Sequence, residues 1–350
     1  MLSIGLVGLP NAGKSTLFNL LTKRSIPAEN FPFTTIEPND GTVEVKDPRL
    51  QVLSDLSKSN KIIPAMIEFR DIAGLIKGAS EGAGLGNKFL SHIRECDMIL
   101  MIIRTFEHDN IIHVENRVNP NEDYEILMME LTMADLKSIE GAIFRFKKEM
   151  AKDKLGGAKL ELLEEIQTKL SNIEPANSYI LDPITTDKDV IKFRSTLNLL
   201  TDKPILKLAN IITDGKNLEF KSDFSLDIGM EKDLDDATIE ERVEFGLPPE
   251  PGLDKIIHQC FKTLNLETYL TTGQVETRAW TYTKGSTAPV AAGKIHTDFE
   301  KKFIKAEIIK YDDYVKLGGS KQASENGKLS IVGKEYIMQD GDVVEFVINQ

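Results

Sequence analysis

Apolar positions along the chain change their period twice, and each change predicts a different architecture. The opening run Leu2-Ser3-Ile4-Gly5-Leu6-Val7 is short and nearly continuous, as in a buried strand, and Leu17-Phe18-Asn19-Leu20-Leu21 after it opens a helix. Residues 41–45 and 66–70 alternate like paired strands, and 97–104 is apolar enough for a parallel strand covered on both faces. Residues 204–210 and 224–227 continue the series, and 253–264 reads as the helix that closes it. Strands alternating with helices predict an α/β unit.

The period becomes three and four over 123–152, where Met129, Met133, Leu136, Ile139, Ile143, Phe146 and Met150 recur. Leu160, Leu163, Ile166, Leu170 and Ile173 repeat it beyond a Gly156-Gly157 separator. That pattern predicts an antiparallel helical hairpin with an apolar seam, inserted into the α/β unit. It suits a spacer as well as a partner-binding arm. From 266 the pattern alternates again, over 274–282, 305–309, 329–332 and 343–348, with turns at Gly318-Gly319 and Asp340-Gly341-Asp342. This predicts a small α+β sheet. The boundaries that follow are 1–122 with 200–265, then 123–199, then 266–349.

The chemistry lies first between the opening strand and its helix. Gly8-Leu9-Pro10-Asn11-Ala12-Gly13-Lys14-Ser15-Thr16 has the spacing G-x-x-x-x-G-K-S of a phosphate-binding P-loop. Its glycines let successive N–H groups turn inward onto phosphate oxygens, and the helix adds its positive end. Lys14 can reach the β- and γ-phosphates, and Ser15 can place a hydroxyl on Mg²⁺. Thr35 stands in a proline-rich loop just downstream, where nucleotide switches keep a second Mg²⁺ ligand. Asp71-Ile72-Ala73-Gly74 ends a strand in a D-x-x-G arrangement. Asp71 would hold Mg²⁺ through a water, and the Gly74 N–H would sense the γ-phosphate. Leu75 follows, where a Ras-like enzyme has the glutamine that orients the attacking water.

His113, in an apolar stretch, suits either a water-positioning role or a structural one. Asn210 ends a strand where such switches read the base. The text after it, Ile211-Ile212-Thr213-Asp214, lacks the lysine of N-K-x-D and puts the aspartate one position late, which disfavours guanine.

Composition narrows the picture a little. The 350 residues carry 43 Lys+Arg against 55 Asp+Glu, a net charge of −12, which argues against a protein coated in nucleic acid. A local basic face is still compatible with that. Lys294, Lys301, Lys302, Lys305 and Lys310, with His296 nearby, form one candidate, readable equally as a solvated helix face. Cys96 and Cys260 lie far apart and outside metal-ligand spacing, which suits buried thiols in a reducing compartment. The sequence opens on a strand with no basic leader, and the longest apolar run, 98–103, is too short to span a bilayer. A cytoplasmic protein without membrane contact is expected.

Taken together, the P-loop, Phe31-Pro32-Phe33-Thr34-Thr35-Ile36-Glu37-Pro38-Asn39 and Asp71-Ile72-Ala73-Gly74-Leu75 resemble the YchF/Obg-like ATPase family. So do Arg278-Ala279-Trp280-Thr281 and Ala292-Gly293-Lys294-Ile295-His296-Thr297-Asp298-Phe299-Glu300. The resemblance runs from the first strand to the C-terminus. It implies a Ras-like P-loop domain, an inserted coiled-coil hairpin and a C-terminal β-grasp (TGS) domain. It also implies a Mg²⁺-dependent, ATP-preferring hydrolase that acts as a switch on the ribosome's large subunit. RNA contacts would run through the TGS domain and the coiled coil.

Carried onto this chain, the family's motifs assign nucleotide to Asn11, Ala12, Gly13, Lys14, Ser15, Thr16, Gly74, Asn210 and Ile211, and Mg²⁺ to Ser15, Thr35 and Asp71. They assign a K⁺ to Asn11 and catalysis to Lys14 and His113, with Leu75 as the hydrophobic replacement of the glutamine. Two departures stand out. Thr213 replaces the glutamate of the base-reading N-x-x-E, and 215–224 is short by about one helix. A GTPase of the same fold, or a ribosome- or RNA-binding module ordered by nucleotide with negligible turnover, are the alternatives.

Overall fold

The computed structural model describes residues 2–23, 40–72, 85–108, 111, 113, 117–149, 152–182, 186–245 and 251–349. In chain order, β1 (Ser3–Val7), α1 (Lys14–Lys23), β2 (Asp40–Val45), α2 (Arg49–Ser57), β3 (Ile62–Ile63), β4 (Ala65–Asp71), α3 (Leu85–Glu95) and β5 (Met98–Arg104) come first. The arm follows with α4 (Pro120–Glu149), α5 (Gly156–Ser171) and α6 (Lys188–Thr196). The chain then returns through β6 (Ile205–Asn210), β7 (Phe224–Leu226), α7 (Ile228–Asp233), α8 (Ile239–Glu244) and α9 (Gly252–Thr263).

These strands form a sheet in the order β2-β4-β1-β5-β6-β7, parallel throughout except for β2 against β4. Every residue of β1 and β5 is buried, because both strands sit inside the sheet under helices on both faces. β1 and β4 end together, with Leu6 beside Asp71 and Val7 opposite Met101, while β5 and β6 run three residues further, to Arg104 beside Asn210. In an open α/β sheet the carboxyl edge is where ligands sit.

The arm differs from a symmetric hairpin. α4 has 30 residues and spans about 45 Å, whereas α5 has 16. The lower part of α4 packs Leu127, Leu131 and Ala134 against Ile99, Met101 and Ile103 of β5. Only its upper part forms the seam, with Ile139 and Ile143 against Leu162, Leu163, Ile166 and Leu170. The seam therefore turns around the helix, and Met129, expected in it, lies exposed. Gly156-Gly157 opens α5 instead of separating the helices. Ile173 also leaves the seam: it is exposed and strained, at φ 62° just past α5.

The last segment holds β8 (Leu266–Thr272), β9 (Thr277–Thr283), α10 (Ala288–Ala292), α11 (Thr297–Lys301), β10 (Phe303–Lys310), α12 (Tyr311–Leu317), α13 (Ser320–Glu325), β11 (Ser330–Val332) and β12 (Asp342–Ile348). Its sheet runs β11-β10-β12-β8-β9-β3. The edge strand β3 comes from the first unit: Ile62 pairs with Thr277 and Ile63 with Arg278. Leu53 of α2 lies in one continuous core with Leu270, Ala279, Ile309 and Val343 of the last segment.

Arg49 adds a polar clasp to that join, reaching Asp340 at 2.7 Å and Thr268 at 3.1 Å while Asp47 holds it from its own side. A hydroxyl chain of Ser57, Thr272, Thr277 and Ser59, with links of 2.7–2.8 Å, runs alongside. Two lysines of the proposed basic face are engaged locally, Lys305 with Glu307 and Lys310 with Asp342. Among the described residues no helix is long and apolar enough to cross a membrane.

Candidate nucleotide-binding site

The loop between β1 and α1 follows the shape that its sequence predicts. Asn11 and Gly13 both take left-handed backbone angles, φ 62° and 105°, which curl the chain into a nest of N–H groups. Glycine is required at two points. A Cβ on Gly8 would lie 2.5 Å from the Ile102 carbonyl oxygen, and one on Gly13 would lie 2.7 Å from the Asn210 amide nitrogen.

Lys14 begins α1 and is buried, with its ammonium arched back to donate to the Leu9 carbonyl at 2.8 Å. Burial pulls its pKa from 10.5 down to about 8, and the Asp71 charge only partly opposes this. A helix N-terminus is also the wrong end for a cation. The site therefore holds a destabilised positive charge among inward N–H groups, an arrangement that favours a polyanion.

A cavity of about 320 Å³ opens beside it, lined by Asn11, Gly13, Lys14, Ser15 and Thr16 on the loop side. Phe106, Ile111, Asn210, Ile228 and Gly229 line the other side. Phe106, Ile111, Ile228 and Gly229 were not foreseen. Ile228 and Gly229 follow the short strand β7, and Phe106 follows β5, so adjacency in the sheet brings them here.

At the end of β4, Asp71 presents a buried oxygen, Oδ1, that has no hydrogen-bond partner among the described residues. A buried carboxylate oxygen left unpaired is unfavourable, and a cation or its water would satisfy it. The donor set, Ser15 hydroxyl and Asp71 carboxylate, is all oxygen and suits Mg²⁺. Thr35, Gly74 and Leu75 lie outside the described residues.

Asn210 is committed to the scaffold. Its amide donates to the Ala12 carbonyl at 3.0 Å, and its oxygen accepts from the Ile228 N–H at 3.3 Å. Ile211 donates its N–H to Leu226 across β6 and β7. Asp227, just before α7, has both oxygens engaged, by the Thr213 N–H at 2.7 Å and the Met230 N–H at 2.9 Å. The short 215–224 segment folds against the root of the arm, where Phe220 meets Tyr124 and the Glu219 carbonyl accepts from Asn121.

His113 lies behind the loop and not in this cavity. It is 6 % exposed, and its Nε2 sits 2.9 Å from Asp123 Oδ2 in the first turn of α4. Leu9, Pro10, Ala12 and Arg104 surround the pair in a space too tight for water. Arg104, itself buried, donates to the carbonyls of Phe106 and Ile111. Neither Arg104 nor Asp123 was singled out from the sequence. Each falls inside a regular apolar pattern, and only the tertiary fold brings them together. Both cysteines are buried, and burial pushes the Cys96 thiol up to about 12.

Comparison with known proteins gives a consistent result. A family described as 50S ribosome-binding GTPase matches residues 3–135, and YchF-GTPase_C, a protein of unknown function (DUF933), matches 266–349. The chain is 46 % identical over 367 residues to the Ribosome-binding ATPase YchF of Escherichia coli O157:H7, covering 99 % of this chain and 98 % of that protein. It is 42 % identical over 369 residues to the YchF of Bacillus subtilis, covering 99 % of each chain. To the Obg-like ATPase 1 of Caenorhabditis elegans it is 39 % identical, with 99 % and 92 % covered. The structure of the Schizosaccharomyces pombe YchF GTPase superposes with a TM-score of 0.83 at 34 % identity, over 99 % of this chain and 97 % of that one.

Proposed function

Since the chain belongs to the YchF family, we propose that it is an ATP-preferring nucleoside triphosphatase that switches its hold on the ribosome. The observation that carries this is the buried Lys14 ammonium, folded onto the Leu9 carbonyl inside a nest of N–H groups. A triphosphate entering the cavity takes over that ammonium and accepts hydrogen bonds from the loop between Asn11 and Thr16. Charge building on the bridging oxygen in the transition state then meets donors already in place. Ser15, Thr35 and Asp71, the last through a water, are the residues that would hold Mg²⁺, which supplies positive charge to the phosphates, and Asn11 is the one that would face a K⁺.

Thr35 and Gly74 would sense the γ-phosphate and relax when it leaves. With Leu75 in place of a glutamine, His113 is the candidate for positioning the attacking water. ATP is preferred because guanine needs a carboxylate for its N1 and N2 hydrogens. Thr213 cannot supply one, and Asp214 stands one position too late along the loop.

Partner contacts are assigned to the arm tip and the TGS sheet, and the ribosome's large subunit is the surface they would meet, in the cytoplasm. Residues 145–159 hold six Lys or Arg against two Asp or Glu, a local +4 on a chain of −12. Phe144 there is 66 % exposed, with the Lys148 ammonium 4.1 Å over its ring. That combination suits an RNA backbone and an unstacked base.

Replacing Lys14 by Ala is expected to lower phosphate release from ATP by about 100-fold or more. An unchanged rate removes the assignment. ATP affinity should weaken as pH rises above about 8, because the ammonium loses its proton there. The match of 3–135 to a GTPase family favours a second reading, with guanine as the base. Competition of ATP and GTP for one fluorescent analogue decides it: tight GTP with weak ATP selects guanine.

A further inference from the structure

A second cavity lies at the joint with the C-terminal sheet. It holds about 430 Å³, against 320 Å³ for the one beside Lys14. Its floor is apolar. Val45 and Ala65 supply part of it, paired across the ends of β2 and β4 remote from Asp71, and Phe261 of α9, Leu266 of β8 and Ala279 of β9 supply the rest. All five belong to the core that the two units share. The floor is therefore held from both sides, and a preformed cavity at a junction of two units is where small-molecule sites are commonly found. Alanine at 65 and at 279 leaves the space that a larger side chain would fill.

The polar groups around this floor differ in what they have left to offer. The three carboxylates are committed. Both oxygens of Asp47 accept from Arg49, Asp340 accepts from Arg49 and from the Thr268 N–H, and Glu267 accepts from the Tyr282 hydroxyl and from Lys284. The ammonium groups keep donors in reserve. Lys46 and Lys284 are 60 % and 64 % exposed, and each meets one carboxylate, Asp254 and Glu267, with three N–H donors to use. Lys262 is exposed, and its ammonium has no carboxylate partner among the described residues. His258 adds no acceptor, since both its ring nitrogens are turned to backbone carbonyls, those of Asp254 and Lys46. Spare donors above an apolar floor fit a ligand that has an apolar body and a polar end that only accepts.

We propose that this cavity binds a small organic anion, with its apolar body on the Phe261, Leu266 and Ala279 floor and its carboxylate, sulfonate or phosphate head among Lys46, Lys262 and Lys284. Such a ligand touches both units at once and is bound independently of the nucleotide.

The test uses the full chain with excess MgADP, so that the P-loop is filled, and 1-anilinonaphthalene-8-sulfonate as the probe. Its fluorescence should rise to saturation at one probe per chain. The double variant Lys262→Glu, Lys284→Glu should weaken binding by about ten-fold, and Ala279→Leu should weaken it at least as much by filling the floor. Ile180→Ser, which removes an 85 % exposed apolar side chain elsewhere, should leave it unchanged. Binding that never saturates, or that survives both the charge reversal and Ala279→Leu, overturns the proposal. Should Ala279→Leu fail to fold, the lysine variant decides. A second readout locates the probe. Acetylation by an activated ester, followed by mass spectrometry, should slow at Lys262 and Lys284 when the probe is present, and not at Lys188 of α6. Equal protection at all three, or none, overturns the site. Octanoate and 2-naphthoate then compete with the probe. Displacement by either supports the site and tells an acyl body from an aromatic one. Displacement by neither, or equally by inorganic phosphate, overturns it.

Discussion

The arm and the C-terminal sheet are both fastened to the P-loop unit, and their fastenings differ in kind. At the root of the arm α4 packs Leu127, Leu131 and Ala134 against β5, and a polar pin lies just beyond them. Asp135 of α4, fully buried, accepts from the Leu200 and Thr201 N–H groups and the Thr201 hydroxyl at 2.8–2.9 Å, which pins the outgoing helix to the returning chain. Beyond that point the arm has an apolar core of its own around Ile139, Leu163 and Ile166. At the C-terminal joint the core itself is shared, and a strand is shared as well. A separate core can open by itself, whereas a shared core opens only with its neighbour. The lesson is that only the outer arm keeps a core to itself, whereas the C-terminal sheet is built into the core of the P-loop unit.

Three substitutions probe this contrast. Leu53→Ala empties a fully buried site in the shared core and should cost about 3 kcal/mol. Calorimetry should show the P-loop unit and the C-terminal sheet still melting in one transition at a lower Tm. Two separate transitions would show the core to be less continuous than described.

Asp135→Asn replaces a carboxylate that accepts three hydrogen bonds by an amide that accepts fewer, at a cost of about 2 kcal/mol. The loss should be local. Hydrogen exchange should quicken around 198–204 and the lower part of α4, while the C-terminal sheet keeps its protection. The smallest effect should come from Arg49→Ala. It removes a partly exposed clasp worth about 1 kcal/mol, and added salt should shrink the difference from wild type. A Tm drop as large as that of Leu53→Ala would mean that the joint is polar after all.

The parts of this molecule that could be read in advance are those with local causes. The P-loop declares itself through glycine spacing, and residues 97–104 declare a buried strand because every position of β5 is covered. The arm was legible as a helical period, but not its turning seam: whether Met129 points inward depends on the β5 face that α4 crosses. The strand β3 has two residues and no periodicity to detect. Helices α10 to α13, five to seven residues each, are too short for a period to show.

The candidate site divides in the same way. Lys14, Ser15 and Asp71 follow from motif spacing. The pairing of His113 with Asp123 depends on how α4 docks behind the loop, and ten positions of separation give no hint of it. The engagement of Asp227 by Thr213 likewise needs β6 and β7 side by side.

The strand that crosses between the two sheets has a practical corollary. A version of this chain ended at 265 would strip β3 of its neighbour Thr277 and Arg278 and would bare Leu53 to water. The GTPase-like portion is thus not a cassette. Grafting it onto another protein, or expressing it by itself, should yield a sticky product prone to aggregate, while trimming the arm near its tip should be tolerated.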